Sequence, residues 1–203
     1  MHKRVGICCI ILGICCLLAS VGFIVYNRWE DDHAQNTSKT MLQDVRENMP
    51  GNAGGTGGQD GAAKVPVDIP QEMLTTQVDG YDCIGILSIP VLELELPVLT
   101  DWSYTKLKVA PCHYFGSCYD KDFVIAAHNY QSHFGRLSQL QPKDLVFFTD
   151  ISGAVYCYEV VLLETLPANA TEEMITSGFG LSLYTCTPGG ASRVTVRCNA
   201  IAE

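Results

Sequence analysis

Residues 5–26 form an unbroken uncharged stretch, and no other feature restricts the fold of this chain as strongly. About 22 apolar residues span roughly 33 Å as a helix, which matches a bilayer core. Lys3 and Arg4 precede the stretch, while Trp29, Glu30, Asp31 and Asp32 follow Arg28. This asymmetry predicts a cytoplasmic N-terminus and places the bulk of the chain outside. The rival reading is a cleaved signal peptide, with small residues at Ala19, Ser20 and Gly22 near a cleavage point. The stretch is longer than a typical signal core, which favours a retained anchor. Gly6, Gly13 and Gly22 do not form a GxxxG pair, so no helix dimer follows.

All 22 acidic residues of the 203-residue chain lie beyond Arg28, against ten of its thirteen Lys and Arg, so that part is near −12. Such a surface repels phosphate backbones and argues against a nucleic-acid partner. Of ten cysteines, Cys8, Cys9, Cys15 and Cys16 fall inside the apolar stretch. Six remain: Cys83, Cys112, Cys118, Cys157, Cys186 and Cys198. Cys112 and Cys118 flank a glycine-containing turn and are spaced to close a short loop. No CxxC pair lies outside the apolar stretch and zinc spacing is absent, so neither metal nor cofactor is expected.

The remainder divides by composition. Residues 36–49 are polar with sparse apolar positions (Met41, Leu42, Val45, Met49), which suggests a weak helix at the membrane surface. Residues 50–63 read PGNAGGTGGQDGAA, a flexible linker with nothing to bury. The expected organisation is an anchor over 1–28, an extracellular glycine-rich linker over 29–64 and a folded domain over 65–203. Within the domain, short strand-like runs alternate with turn residues. Residues 84–89 stop at Pro90. Leu92, Leu94 and Leu96 alternate with Glu93 and Glu95, as in a half-buried strand. Residues 123–127 are continuously apolar, as in a strand buried on both faces. Residues 103–109 suggest a helical turn or two after a Ser cap, residues 133–140 a short helix, and Thr171 a short helix start. Residues 144–149 and 154–163 read as a hairpin; 181–185 and 193–201 are the last two strands. This spacing predicts a mostly β fold, a closed barrel or sandwich with short helices.

Three strand ends carry chemistry. Cys186 ends Leu183-Tyr184-Thr185-Cys186, His128 ends Val124-Ile125-Ala126-Ala127-His128, and Arg193 follows Cys186 by seven residues. A thiol, an imidazole and a guanidinium suit acyl transfer. Arg197 competes with Arg193, since both fall on one face of a strand. Arg193 is nearer the turn that leads back to Cys186. Asn129 and Thr185 are candidate substrate-binding neighbours, although Asn129 can equally hold a loop and Thr185 equally pack. His113 and His133 sit in polar sequence and suit the surface, with His133 close enough to line the His128 cleft.

These segments, with Ile84-Gly85-Ile86-Leu87-Ser88-Ile89-Pro90 and Phe134-Gly135-Arg136-Leu137, resemble the sortases, membrane-anchored cysteine transpeptidases. The resemblance covers about 120 residues, from Tyr81 to Ala202. It implies a closed β-barrel of about eight strands and cleavage of an LPxTG-like sorting-signal peptide of secreted surface proteins. It gives the nucleophile role to Cys186, the acid/base role to His128 and the charge-stabilising role to Arg193. It implies an amine acceptor, on a cell-wall precursor or a pilin lysine, and leaves the class open. The acidic-aromatic lid of pilin-polymerising sortases precedes the first barrel strand. Asp101 and Trp102 follow two strands and are read as an ordinary loop. The same Cys-His pair would serve a peptidase that uses water. A surface-displayed β-domain without chemistry would instead hold Cys186 inert, and a thiol–disulfide oxidoreductase is weakened by the missing CxxC.

Overall fold

The computed structural model describes residues 2–50 and 72–201; the glycine-rich linker expected over 50–63 falls almost wholly outside them. Helix α1 (His2–Asn48) comes first. The strands are β1 (Thr76–Val78), β2 (Tyr81–Ile89), β3 (Leu94–Leu99), β4 (Cys112–Phe115), β5 (Phe123–Ala126), β6 (Leu145–Asp150), β7 (Val155–Pro167), β8 (Leu181–Cys186) and β9 (Ser192–Ala200). Helix α2 (Thr171–Ile175) lies between β7 and β8.

Eight strands close a barrel in the order β2-β3-β4-β5-β8-β9-β7-β6, with β6 returning to pair with β2; β1 adds at the outer edge of β2. The expected closed barrel is therefore present. Its weakest seam is β3–β4, where a single parallel register pair, Leu99 with Cys112, joins the two. The continuously apolar run does become a strand buried along its length, β5, flanked by β4 and β8. The barrel interior holds Phe123, Ile125, Phe134, Phe148, Leu183 and Val196 with their neighbours.

Some local expectations are corrected. The alternating leucines do not begin a strand at Leu92. Pro90–Leu92 is a 3-10 turn, and Glu93 adopts φ 50° with its N–H donating to the Pro90 carbonyl. Proline at the turn start presets φ, which bends the chain before β3 begins at Leu94. Residues 103–109 hold a single 3-10 turn, Lys106–Lys108, whose N-cap is Thr105, and Ser103 Oγ accepts the Lys106 N–H at 3.1 Å. Residues 133–140 are mostly turns, with a single 3-10 turn at Leu137–Gln139. Cys112 and Cys118 are both free thiols. They cannot pair across the wall of the barrel: Cys112 belongs to the cluster beneath α1, and Cys118 to the barrel interior.

The largest correction concerns residues 29–48. They are neither a linker nor a weak surface helix. They continue α1 without a break and dock on the barrel. Ala34, Ser38, Met41, Leu42 and Val45 are buried. Their spacing of four, three, one and three residues puts them on one helical face. Met41, Leu42 and Val45 pack with Val78, Cys83, Ile86, Leu99, Ala110 and Cys112. Each such side chain contributes about 1.5–3 kcal/mol on full burial. Ion pairs Arg46–Glu95 and Lys108–Glu30 flank the stripe. The N-terminal part of α1 is long and apolar enough to cross a membrane, and its apolar window is wholly unburied. Tyr26 and Trp29, both exposed, lie at the C-terminal end of the apolar stretch, the place where aromatic rings favour a membrane interface.

Candidate active site

Strand alternation builds one face of the site. On β8, Leu181 and Leu183 point into the barrel, so Ser182, Tyr184 and Cys186 point outward. On β9, Val196 and Cys198 point inward, so Arg193, Thr195 and Arg197 point outward. The antiparallel register sets Cys186 opposite Arg193, Tyr184 opposite Thr195 and Ser182 opposite Arg197. Parallel pairing aligns Ala126 of β5 with Tyr184 of β8. His128 and Cys186 each lie two residues beyond that pair, at the ends of adjacent strands.

The β8–β9 connection is a tight turn. Gly189 (φ 84°) and Gly190 (φ 73°) are both left-handed, a pair of conformations that disfavours side chains. The turn is held by Gly190 N–H to Thr187 O and Thr187 N–H to Ser192 O. Arg193 Nη1 donates to Gly190 O at 3.0 Å and Ser192 O at 3.2 Å. Both bonds use the same nitrogen, which leaves Nε and Nη2 without a protein acceptor among the described residues. Arg197 is different. It is 2 % exposed. Its Nε donates to Glu164 Oε1 at 2.7 Å, Nη1 to Ser182 Oγ at 2.8 Å and Nη2 to Glu173 O at 2.8 Å. Its fork is fully committed to tying β7, β8 and α2 to β9. Geometry thus separates two arginines that periodicity alone could not.

Cys186 and Arg193 share a cleft of about 200 Å³ with Trp102, Tyr104, Tyr114 and Tyr184. The aromatic rings form a continuous wall. Trp102 meets Tyr104 edge-on at 5.6 Å, Trp102 lies 5.6 Å from Tyr114, and Tyr114 meets Tyr184 edge-on at 5.4 Å. Trp102 lies in a loop, as the sequence suggests, and that loop lines the Cys186 cleft. The wall was detectable only in part, as outward-facing aromatics on β4 and β8. Burial pushes the thiols of Cys83, Cys112, Cys118 and Cys198 up to about 12. Those four are inert at neutral pH, whereas Cys186 opens to a cleft.

His128 lines another cleft, of about 670 Å³, formed with Asn27, Arg28, Glu30 and Asp31 of α1. Its ring stacks on Tyr130 at 4.0 Å and 20°. Nδ1 is buried without a hydrogen-bond partner. Burial holds the imidazole below its usual range, against the opposing pull of the Glu30 carboxylate. No hydrogen bond joins His128 to Cys186 among the described residues. Asn129 lies beside His128 in this cleft. Thr185 is buried, and its hydroxyl donates to Ala127 O at 2.9 Å. That bond ties the end of β8 to the end of β5 and uses the hydroxyl's one proton. Gly135 lets the His128 loop close on itself: a Cβ there would lie 2.6 Å from Asn129 O and 2.7 Å from Tyr130 O.

His133 overturns a sequence expectation. It is not a surface residue but 0 % exposed, with Nε2 3.0 Å from Ser38 Oγ of α1. His113 is half-buried, its ring nitrogens on Thr100 O and Gly116 O. Neither enters the Cys186 cleft.

A family model described as the sortase domain matches residues 87–201. Among solved structures, Sortase A from Corynebacterium diphtheriae superposes with a TM-score of 0.54 at 20% identity, covering 61% of this chain and 62% of that one. The present chain thus spans less than two thirds of that relative. A Clostridium perfringens Sortase D5 transpeptidase gives 0.53 at 18% identity, over 60% of this chain and 80% of that one. Sortase C1 from Streptococcus suis gives 0.51 at 26% identity, over 60% and 74%. A comparison with curated protein sequences returned no significant match. With a family model spanning more than half its length, on a closed barrel of the same fold, this chain belongs to the sortase family.

Proposed function

We propose that this chain is a membrane-anchored cysteine transpeptidase acting on an LPxTG-like sorting signal. One observation carries the reading: Cys186 lies in register with Arg193 at a strand end, in an open cleft, with His128 ending the adjacent parallel strand. Cys186 Sγ attacks the carbonyl carbon of the signal's threonine, and its proton passes to His128. The developing oxyanion faces Nε and Nη2 of Arg193, which have no protein acceptor to give up among the described residues. When the peptide C–N bond breaks, His128 returns the proton to the leaving amine. The thioacyl enzyme is then attacked by an amine whose proton goes to His128, and the thiol is restored as the product amide departs. Because His128 and Cys186 line separate clefts, the scissile bond would lie across the two strand ends, where both reach it.

The N-terminal span would hold the barrel outside the membrane, with Lys3 and Arg4 inside. Substrate and acceptor would be secreted proteins and cell-wall or pilin amines at the same surface, where tethering raises their effective concentration. The test is mass spectrometry of products from an LPxTG-like peptide library, with and without millimolar amine acceptor. Amide product that requires Cys186 supports the reading. Free acid as the sole product with every acceptor would make the chain a peptidase. Intact peptide throughout would refute the assignment.

A further inference from the structure

Beyond its apolar stretch, α1 contacts one loop repeatedly: residues 128–134, which begin at His128. Asp31 spends both carboxylate oxygens there. Oδ2 accepts the Gln131 N–H at 3.2 Å, and Oδ1 accepts the Ser132 N–H at 3.0 Å and the Ser132 hydroxyl. Two turns on, the Ser38 hydroxyl donates to Val109 O at 2.6 Å. Its single proton is thereby used, so the 3.0 Å contact with His133 Nε2 has the imidazole as donor. The bare Nδ1 of His133 agrees with this tautomer.

The loop passes these contacts on to His128. Tyr130 lies between the two imidazoles, 4.0 Å from the His128 centroid and 5.5 Å from that of His133. Among the described residues, no carboxylate partners Nδ1 of His128. The ring instead rests against Tyr130, and the backbone next to Tyr130 is satisfied by a helix a hundred residues earlier in sequence. Charge-assisted bonds from a carboxylate to backbone N–H groups are about twice as strong as neutral ones.

We infer that Asp31 and Ser38 are positioning residues for His128, so that the juxtamembrane half of α1 is a working part of the active site and not only a tether. This rests on the acid/base role proposed above for His128. A ring misplaced by about 1 Å loses much of its rate in the chemical step while peptide binding in the Cys186 cleft is untouched.

The test uses the full chain in nanodiscs. Asp31→Ala should lower kcat for transfer about tenfold with KM unchanged. Asp31→Asn, which keeps one acceptor oxygen, should recover part of that loss. Histidine-selective NMR gives a readout that does not depend on turnover. The His128 ring signals should shift or broaden in Asp31→Ala and in Ser38→Ala, while those of His113, held by Thr100 and Gly116, stay in place as the folding control. Unmoved His128 signals in both variants would overturn the inference, as would a raised KM at wild-type kcat. If the wild-type chain transfers nothing, the proposed function fails, and the NMR arm still decides whether α1 positions the ring.

Discussion

Arg193 and Arg197 lie four residues apart on one face of β9, yet their alanine variants should fail in opposite ways. Arg197→Ala removes a guanidinium that is 2 % exposed. It leaves the Glu164 carboxylate, the Ser182 hydroxyl and the Glu173 carbonyl without their donor. Breaking a buried pair from one side costs about 3–5 kcal/mol. Glu164 keeps 30% of its side chain exposed, so water recovers part of the loss and about 3 kcal/mol is expected. For a unit of this size the melting temperature should fall by roughly 10 °C. The folded fraction should retain near wild-type kcat/KM. Arg193→Ala should do the reverse. Its two bonds go to carbonyls of a solvent-facing turn, so stability should change by less than about 1 kcal/mol, while kcat/KM should fall about 10²-fold or more. Arg193→Lys should not fully rescue, because an ammonium lacks the fork of donors. Circular-dichroism melts and peptide-transfer kinetics on both variants decide the matter. As a control, Arg197→Met with Glu164→Gln should recover stability relative to Arg197→Ala by removing the stranded charge. Equal destabilisation by the two alanine variants, or reversed activity losses, would refute the division of roles.

Three further outcomes are expected. A charged thiol reagent at pH 8 should modify Cys186 in the native chain well before Cys83, Cys112, Cys118 or Cys198, and Cys186→Ala should abolish both that fast phase and transfer; peptide mapping by mass spectrometry reads out the order. His133, buried against α1, has its pKa lowered to about 4 from 6.5, chiefly by burial. The unfolded chain therefore binds the extra proton between those values, so this stability is fully present above about pH 6.5 and is lost as pH falls toward 4, by about 3 kcal/mol; urea midpoints across pH 4–7 should show the slope, and His133→Asn should flatten it. Protease added to intact protoplasts should cut the chain within residues 50–65, giving separate anchor and barrel fragments on a denaturing gel, although α1 still holds the barrel by its buried face; a chain cut only after lysis would reverse the topology.

Much of the site was legible because its signals are local. A continuously apolar run cannot tolerate water on either face, so residues 123–127 read as a buried strand and His128 as its end. Period-two alternation on β9 puts Arg193 and Arg197 on one face, and nearness to the turn favours Arg193; that Cys186 stands opposite Arg193 comes from the β8–β9 register. The apolar stretch of α1 likewise declares itself by length alone. What the sequence left open required partners distant along the chain. Nearness to the turn favours Arg193 over Arg197 in the sequence, whereas the cage of Glu164, Ser182 and Glu173 that occupies Arg197 comes from three other elements and is invisible there. Trp102 joins the lining of the Cys186 cleft against Tyr114 of β4, whose ring in turn meets Tyr184 of β8. His133 reads as polar loop until α1 supplies Ser38, 95 residues away, to satisfy its Nε2. The face formed by Ala34, Ser38, Met41, Leu42 and Val45 was present in the sequence at helical spacing. It reads as a weak helix at the membrane surface because an isolated amphipathic segment has nothing to bury against, and only the closed barrel provides that surface.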